Sequence, residues 1–150
     1  MIWDFNIFGI KFVILEESIA VFHAIPPYFF NYKIMTNISD IIISAIHDKK
    51  GHDIKILDLS KIDGAPTQKF VVCTGNSTTQ VSAIADNVRE EMQKEAGEKP
   101  INYDGYRNCQ WIVVDYGDVM IHVFLPDCRS FYRLEQLWSD APTIEIPDPE

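Results

Sequence analysis

Apolar residues along this chain follow first a helical and then an alternating rhythm, and the switch between the two outlines a fold. Ile38, Ile41, Ile42, Ala45 and Ile46 recur at spacings of three and four, which predicts a one-faced helix. Asn37 or Thr36 stands where a cap is needed, and Gly51 lies just beyond the end. Ile54 to Leu59 predicts a strand, closed by the turn-rich stretch from Ser60 to Pro66. Phe70-Val71-Val72-Cys73 is a short continuous apolar run, as expected of a central strand buried on both faces. Gly75-Asn76-Ser77 then turns the chain into a second helix. Its start carries a capping-box pattern, Ser77 with Gln80, because the hydroxyl can accept the backbone N–H three residues on. Val81, Ile84, Ala85, Val88 and Met92 mark its buried face, and Gly97 suits its C-terminal cap.

The second half changes period. Trp111 to Val114 and Val119 to Phe124 read as two strands joined by Asp115-Tyr116-Gly117-Asp118, a hairpin in which Gly117 supplies the positive φ. Ile101 to Asp104 predicts a further short strand. Pro126-Asp127 opens a last helix, with Phe131, Leu134, Leu137 and Trp138 on one side. From Ser139 the tail holds three prolines and four acids with no basic residue, and is expected to be mostly extended or disordered. The order α-β-β-α-β-β-β-α gives a mixed β-sheet flanked by helices, an α/β (α+β) single domain.

The first 34 residues do not share this organisation. They carry nine of the chain's 18 aromatic residues, which raises the question of a membrane segment. A spanning helix needs about 20 mostly apolar residues. Lys11, Glu16 and Glu17 interrupt the run, and Pro26-Pro27 breaks the stretch after them. A secretory signal wants a basic start, and an organelle transit peptide wants arginine; this segment has neither. It is then either an added β-hairpin or arm, or the product of an initiation codon assigned too far upstream. We favour the second, with Met35 as the start, because periodicity begins directly after it.

Composition narrows the function. The 150 residues carry a formal net charge of −9, and residues 35–150 alone carry −8, so the acidity belongs to the domain. Such a balance argues against gripping phosphate backbones by bulk charge, which requires Lys and Arg to displace counterions. Cys73, Cys109 and Cys128 form an odd set without CxxC spacing, so a reducing cytosol fits better than a disulfide framework or a zinc site.

Candidate chemistry is sparse. Gly75-Asn76-Ser77-Thr78, between a strand and a helix, can present N–H groups to an anion, but it lacks the ending of a P-loop and reads better as a capped turn. Asp115 and Asp118 resemble a metal-binding pair, yet Asp is favoured in turns for its own local hydrogen bonds. His23, His47, His52 and His122 show no HxxxH spacing. No Ser, Cys or Lys nucleophile has a base beside it in sequence, and Cys73 fits a small buried hydrophobe. What stands out is aromatic: Trp111, Tyr116, His122, Tyr132 and Trp138 gather in the last third, and Trp and Tyr are enriched at protein–protein hot spots. The residues point to a binding protein. A magnesium-dependent nucleotidyltransferase-type enzyme, using Gly75 to Ser77 with Asp115 and Asp118, is the alternative.

Several blocks, in order, resemble the ribosomal silencing factor family (RsfS, or Iojap-like). They are Asp58-Leu59, Phe70 to Thr78, Ile84 to Val88, Trp111 to Val119 with His122-Val123-Phe124, and Phe131 to Pro142, so the likeness runs from about Ile38 to Pro142. One departure is Thr67-Gln68-Lys69, where the family usually has an acidic residue before the strand. The resemblance implies a nucleotidyltransferase-like topology without catalysis, no cofactor, a cytoplasmic setting and homodimers. It implies binding to the large ribosomal subunit through its protein numbered fourteen (uL-fourteen), with little direct nucleic-acid contact. Occupying that surface would block joining of the small subunit and repress translation when nutrients are short. Carried over by position, the contact falls on Trp111 as aromatic anchor, Asp115, Tyr116, Gly117, Asp118 and Val119 around the turn, and His122 on the returning strand.

A chain beginning at Met35 is expected to fold and to function fully, as read by circular dichroism and by binding to its target. Precipitation or loss of the target would assign the leading segment to the fold.

Overall fold

The computed structural model describes residues 2–7, 10–15 and 37–150. Strands β1 (Ile2–Ile7) and β2 (Ile10–Leu15) pair antiparallel, Ile2 opposite Leu15 and Ile7 opposite Ile10. The rest of the leading segment lies outside the described residues, and with it the choice between an added arm and an upstream extension. Residues 37–150 form a separate unit.

In that unit the helical periodicity folds as expected. Helix α1 (Ile38–Asp48) starts where the Asn37 side chain accepts the Ser39 N–H at 3.2 Å, and it buries Ile41, Ile42, Ala45 and Ile46. Helix α2 (Thr78–Glu91) is capped by Ser77, whose Oγ accepts the Gln80 N–H at 3.1 Å. The return arm of the box lands one residue early, because Gln80 Oε1 accepts from Asn76 N at 2.7 Å. The Gln80 amide then donates to the Lys49 and Lys50 carbonyls, both at 3.0 Å, so one side chain joins the start of α2 to the end of α1. A π-helical turn (Met92–Ala96) extends α2 and keeps Met92 buried.

The strands are β3 (His52–Asp58), β4 (Lys69–Thr74), β5 (Asn102–Asp104), β6 (Trp111–Asp115), β7 (Val119–Phe124) and β8 (Thr143–Ile146). They lie in the order β5-β6-β7-β4-β3-β8. Only the central β4–β7 pair is parallel, Lys69 beside Val119 and Thr74 beside Phe124. Strand β8 comes from the tail expected to be extended or disordered. Thr143 to Ile146 pairs antiparallel with β3, Lys55 meets Glu145 at 3.1 Å, and the three prolines fall outside the paired residues.

Alternation across the pleat gives the sheet two buried faces. One packs Ile54, Val71, Cys73, Ile112, Val114, Ile121 and Val123 against the apolar stripes of α1 and α2. The other carries Leu57, Phe70, Val72 and Phe124, covered by Leu134, Trp138 and Ala141 from the C-terminal region. The last helix is not continuous. It breaks into α3 (Pro126–Tyr132) and α4 (Leu134–Leu137) at Arg133, whose φ of 50° is left-handed. The break separates the apolar positions that a single helix would have aligned: Leu134 and Trp138 face the sheet, while Phe131 and Leu137 face out.

Between β5 and β6 the chain passes so close to itself that only glycine fits. At Gly105, with φ +98°, a Cβ would sit 2.0 Å from the Trp111 carbonyl oxygen. Gly105→Ala is expected to cost about 3 kcal/mol or more in urea unfolding, from overpacking against rigid backbone plus the left-handed penalty. Gly64→Ala, at φ +78° with nothing within 4 Å, is expected to cost only about 1–2 kcal/mol. Equal losses would show that the contact at Gly105 yields.

Candidate functional site

The seven nominated residues are neighbours in sequence but not one site in space. Trp111 lies opposite Phe124 at one end of the β6–β7 ladder, while Asp115 lies opposite Met120 at the other. Four residue steps at about 3.3 Å each separate them by roughly 13 Å. Their faces differ as well: Trp111 packs with the Phe70–Phe124 core, whereas Tyr116 and Val119 pack with the helix-side core.

The turn is a braced structure. The Asp115 carboxylate accepts the Gly117 N–H at 2.7 Å, the local bond expected of Asp in a turn, and Gly117 takes φ +86°. Thr67 Oγ1 donates to the Gly117 carbonyl at 2.7 Å, Gln68 Nε2 to Asp118 Oδ1 at 3.1 Å, and Lys69 N to the Asp118 carbonyl at 3.1 Å. Thr67-Gln68-Lys69 is therefore what binds the turn to β4. Tyr116 keeps its hydroxyl buried without a hydrogen-bond partner, and desolvation pushes its pKa up to about 12. Val119 is 5% exposed, so it supports the turn from inside.

At the other end Trp111 anchors an aromatic stack. Its ring lies 4.8 Å from Phe124 and 5.0 Å from Tyr132, and Nε1 donates to His122 Nδ1 at 3.1 Å. His122 is 4% exposed and stands edge-on to Phe70 at 4.6 Å. Since Nδ1 accepts, the neutral ring carries its proton on Nε2, which is buried and unpaired. Burial of this imidazole pulls its pKa down to about 4, only weakly opposed by Glu135. His122 thus orients Trp111 from inside the core.

Of the exposed part of this end, only Tyr132 stood out in the sequence, as one of the C-terminal aromatics. Phe131 and Leu137 are each 78% exposed and Tyr132 is 53% exposed. Phe131 stands edge-on to Tyr132 at 5.0 Å, and Tyr132 leans on Trp111, so a ledge of apolar side chains continues outward from the anchor. Large apolar groups left in water together mark interaction surfaces. Phe131 and Leu137 share a helix-like spacing with Leu134 and Trp138, which reads as core until Arg133 breaks the helix.

The arrangement that the nucleotidyltransferase-type reading needs is not assembled. Gly75 to Ser77 follow Thr74, and Asp118 lies beside Lys69, so the two groups sit at opposite ends of the β4–β7 ladder, roughly 17 Å apart. Cys73 is fully buried, and desolvation pushes its thiol up to about 12, as befits a small hydrophobe. One group of metal-type donors occurs among the described residues: His52, Asp53 and Asp148, with donor atoms within 4.8 Å of one another. Its histidine already engages both nitrogens, Nδ1 with Asp53 at 2.9 Å and Nε2 with Asn76 Oδ1 at 2.8 Å. The Asn76 bond, then Asp53, raises the His52 pKa.

Residues 37–150 define a mixed single-sheet α/β domain with an exposed apolar ledge at one end. Comparison with known proteins gives the family. A family model described as "Ribosomal silencing factor during starvation" matches residues 35–150. The ribosomal silencing factor RsfS of Chromobacterium violaceum is 43% identical over 101 residues, 67% of this chain and 81% of that protein. The RsfS of Bacillus subtilis is 39% identical over 110 residues, 73% of this chain and 92% of that protein. A crystal structure of a Chromobacterium violaceum protein superposes with a TM-score of 0.65 at 38% identity, covering 77% of this chain and 96% of that one. The chain belongs to the ribosomal silencing factor family. Among the described residues no helix is long and apolar enough to cross a membrane.

The buried imidazole sets a pH dependence. Between about pH 6.5 and 4 the unfolded chain binds a proton at His122 that the folded chain does not, so stability falls on acidification. In urea unfolding, the wild type is expected to lose about 3 kcal/mol more than His122→Gln between pH 7 and 4. The contribution of His52 has the opposite sign and cancels in the comparison. Equal losses would mean that the ring is not held neutral.

Proposed function

We propose that this protein binds the large ribosomal subunit at protein uL-fourteen and sterically blocks joining of the small subunit, repressing translation under nutrient limitation. Family membership supports the class of target, and the ledge of Trp111, Tyr132 and Phe131, with Leu137 also exposed on α4, is the observation that carries the mode. An aromatic group half seated in the core and continuing into exposed apolar side chains has the composition of an interface hot spot. On this reading the target is a protein surface, with little direct contact to rRNA. The −8 charge of residues 35–150 disfavours phosphate contacts and steers the domain toward a basic protein.

This reading shifts the main contact from the turn to the far end of the hairpin. Trp111 remains the anchor, held by His122, while Asp115, Tyr116, Gly117, Asp118 and Val119 form a braced corner about one strand length away. The exposed Asp118 lies at that corner, where a basic or amide group of the partner would set register more than affinity. The setting is the cytoplasm, and the exposed surface also leaves room for a homodimer.

A sucrose gradient of purified subunits tests the proposal: co-migration with the large subunit and loss of the joined peak are expected, and no co-migration would end it. Within it, Phe131→Ala is expected to weaken binding by about 2 kcal/mol, the hot-spot threshold. Its unfolding midpoint should stay put, since exposed substitutions change stability by only about 0.5 kcal/mol. Trp111→Ala is expected to lose at least as much binding and some stability too. Wild-type affinity in both variants would move the contact elsewhere on the molecule.

A further inference from the structure

We infer that Arg129 is a positioning residue for the apolar ledge: its guanidinium clamps α3 and α4 to the ends of β3 and β4 and so sets the attitude of Phe131, Tyr132 and Leu137. The inference rests on the ledge being the docking surface. It begins from a deficit. Neither α3 nor α4 contains a buried residue, and at seven and four residues both are far too short to be stable by themselves. They meet at a left-handed Arg133, so neither helix holds the other in line. Leu134 and Trp138 reach down to the sheet after the break, while α3 touches it lightly, through half-buried Cys128 and through Tyr132 against Trp111.

Arg129 supplies what is missing. Its side chain is 12% exposed, and every nitrogen has a partner. Nε and Nη2 donate to Glu135 Oε1 of α4 at 2.8 and 2.6 Å. Nη1 donates to Thr74 Oγ1 at the end of β4 at 2.7 Å and to the Asp53 carbonyl at the start of β3 at 2.8 Å. One planar fork thus joins α3, α4, β3 and β4. Lysine cannot reproduce it, because an ammonium is a single point of donation without the rigid spread of a guanidinium. A ledge held still before contact loses less conformational freedom on docking, so the clamp acts on affinity without touching the partner.

The test uses the full chain with Arg129→Lys and Glu135→Gln, read in two ways. Hydrogen exchange should rise tenfold or more over residues 126–138 while the amides of β4 and β7 keep wild-type protection. Affinity for the purified large subunit should fall about tenfold. In the Arg129→Lys background, Phe131→Ala should weaken binding by less than a third of its effect in the wild type, a non-additivity that general destabilisation does not produce. If Arg129→Lys loses the native circular dichroism, Glu135→Gln carries both readings and its own cycle with Phe131→Ala, because it keeps the side-chain shape and removes only the charge. Unchanged exchange, unchanged affinity, or full additivity with Phe131→Ala overturns the inference. A wild-type chain that does not bind the large subunit overturns the docking role together with the proposed function, whereas failure in the variants alone overturns only the clamp.

Discussion

Two parallel strands cannot be joined by a tight turn, and the β4–β7 ladder at the centre of the sheet therefore dictates where everything else lies. After β4 the chain must return to the starting end before it can run alongside, and it does so through α2 and the two short strands β5 and β6. That return places α2 on one face, where it seals the core with α1. It leaves the other face open until the C-terminal residues fold over it. The same ladder puts the turn after β4 and the turn before β7 at opposite ends. Two motifs that a linear reading can combine are thereby held a full strand apart.

The second constraint is the burial of a polar pair beneath the open face. Trp111 and His122 share a single hydrogen bond, His122 Nε2 stays buried without a partner, and the imidazole remains neutral because water is excluded. The arrangement is rigid because Gly105 lies against the Trp111 carbonyl and Phe124 lies against its ring. An indole fixed at carbonyl, ring face and N–H has little freedom left. Tyr132 and then Phe131 are stacked outward from it, each contact inheriting the precision of the one below.

Most of the fold was legible because it obeys local rules. Ser77 and Gln80, the stripe from Val81 to Met92, and Asp115 with Gly117 act within a few residues of themselves, and the structure has them as read. The tail at Thr143 to Ile146 was not legible as a strand. Its four residues carry little signal alone, and what makes them a strand is the free edge of β3, far away in sequence. The site was half legible, for a geometric reason. Trp111 stood out by type, but sequence proximity joined it to Asp115–Val119, which the extended backbone carries to the far end. Phe131 and Leu137 fell at core spacing, and only the left-handed backbone at Arg133 turns them to solvent; a non-glycine residue in that conformation leaves no mark in sequence.

The exposed ledge has a colloidal consequence. A domain that keeps Phe131, Tyr132 and Leu137 in water carries a standing tendency to coalesce with its own copies. Its excess of acidic residues works against this, because like-charged molecules repel before the apolar surfaces come within reach. The charge that the proposed function uses for steering is also the domain's dispersant. Added salt weakens both effects at once, slowing the intended encounter while easing the unintended one.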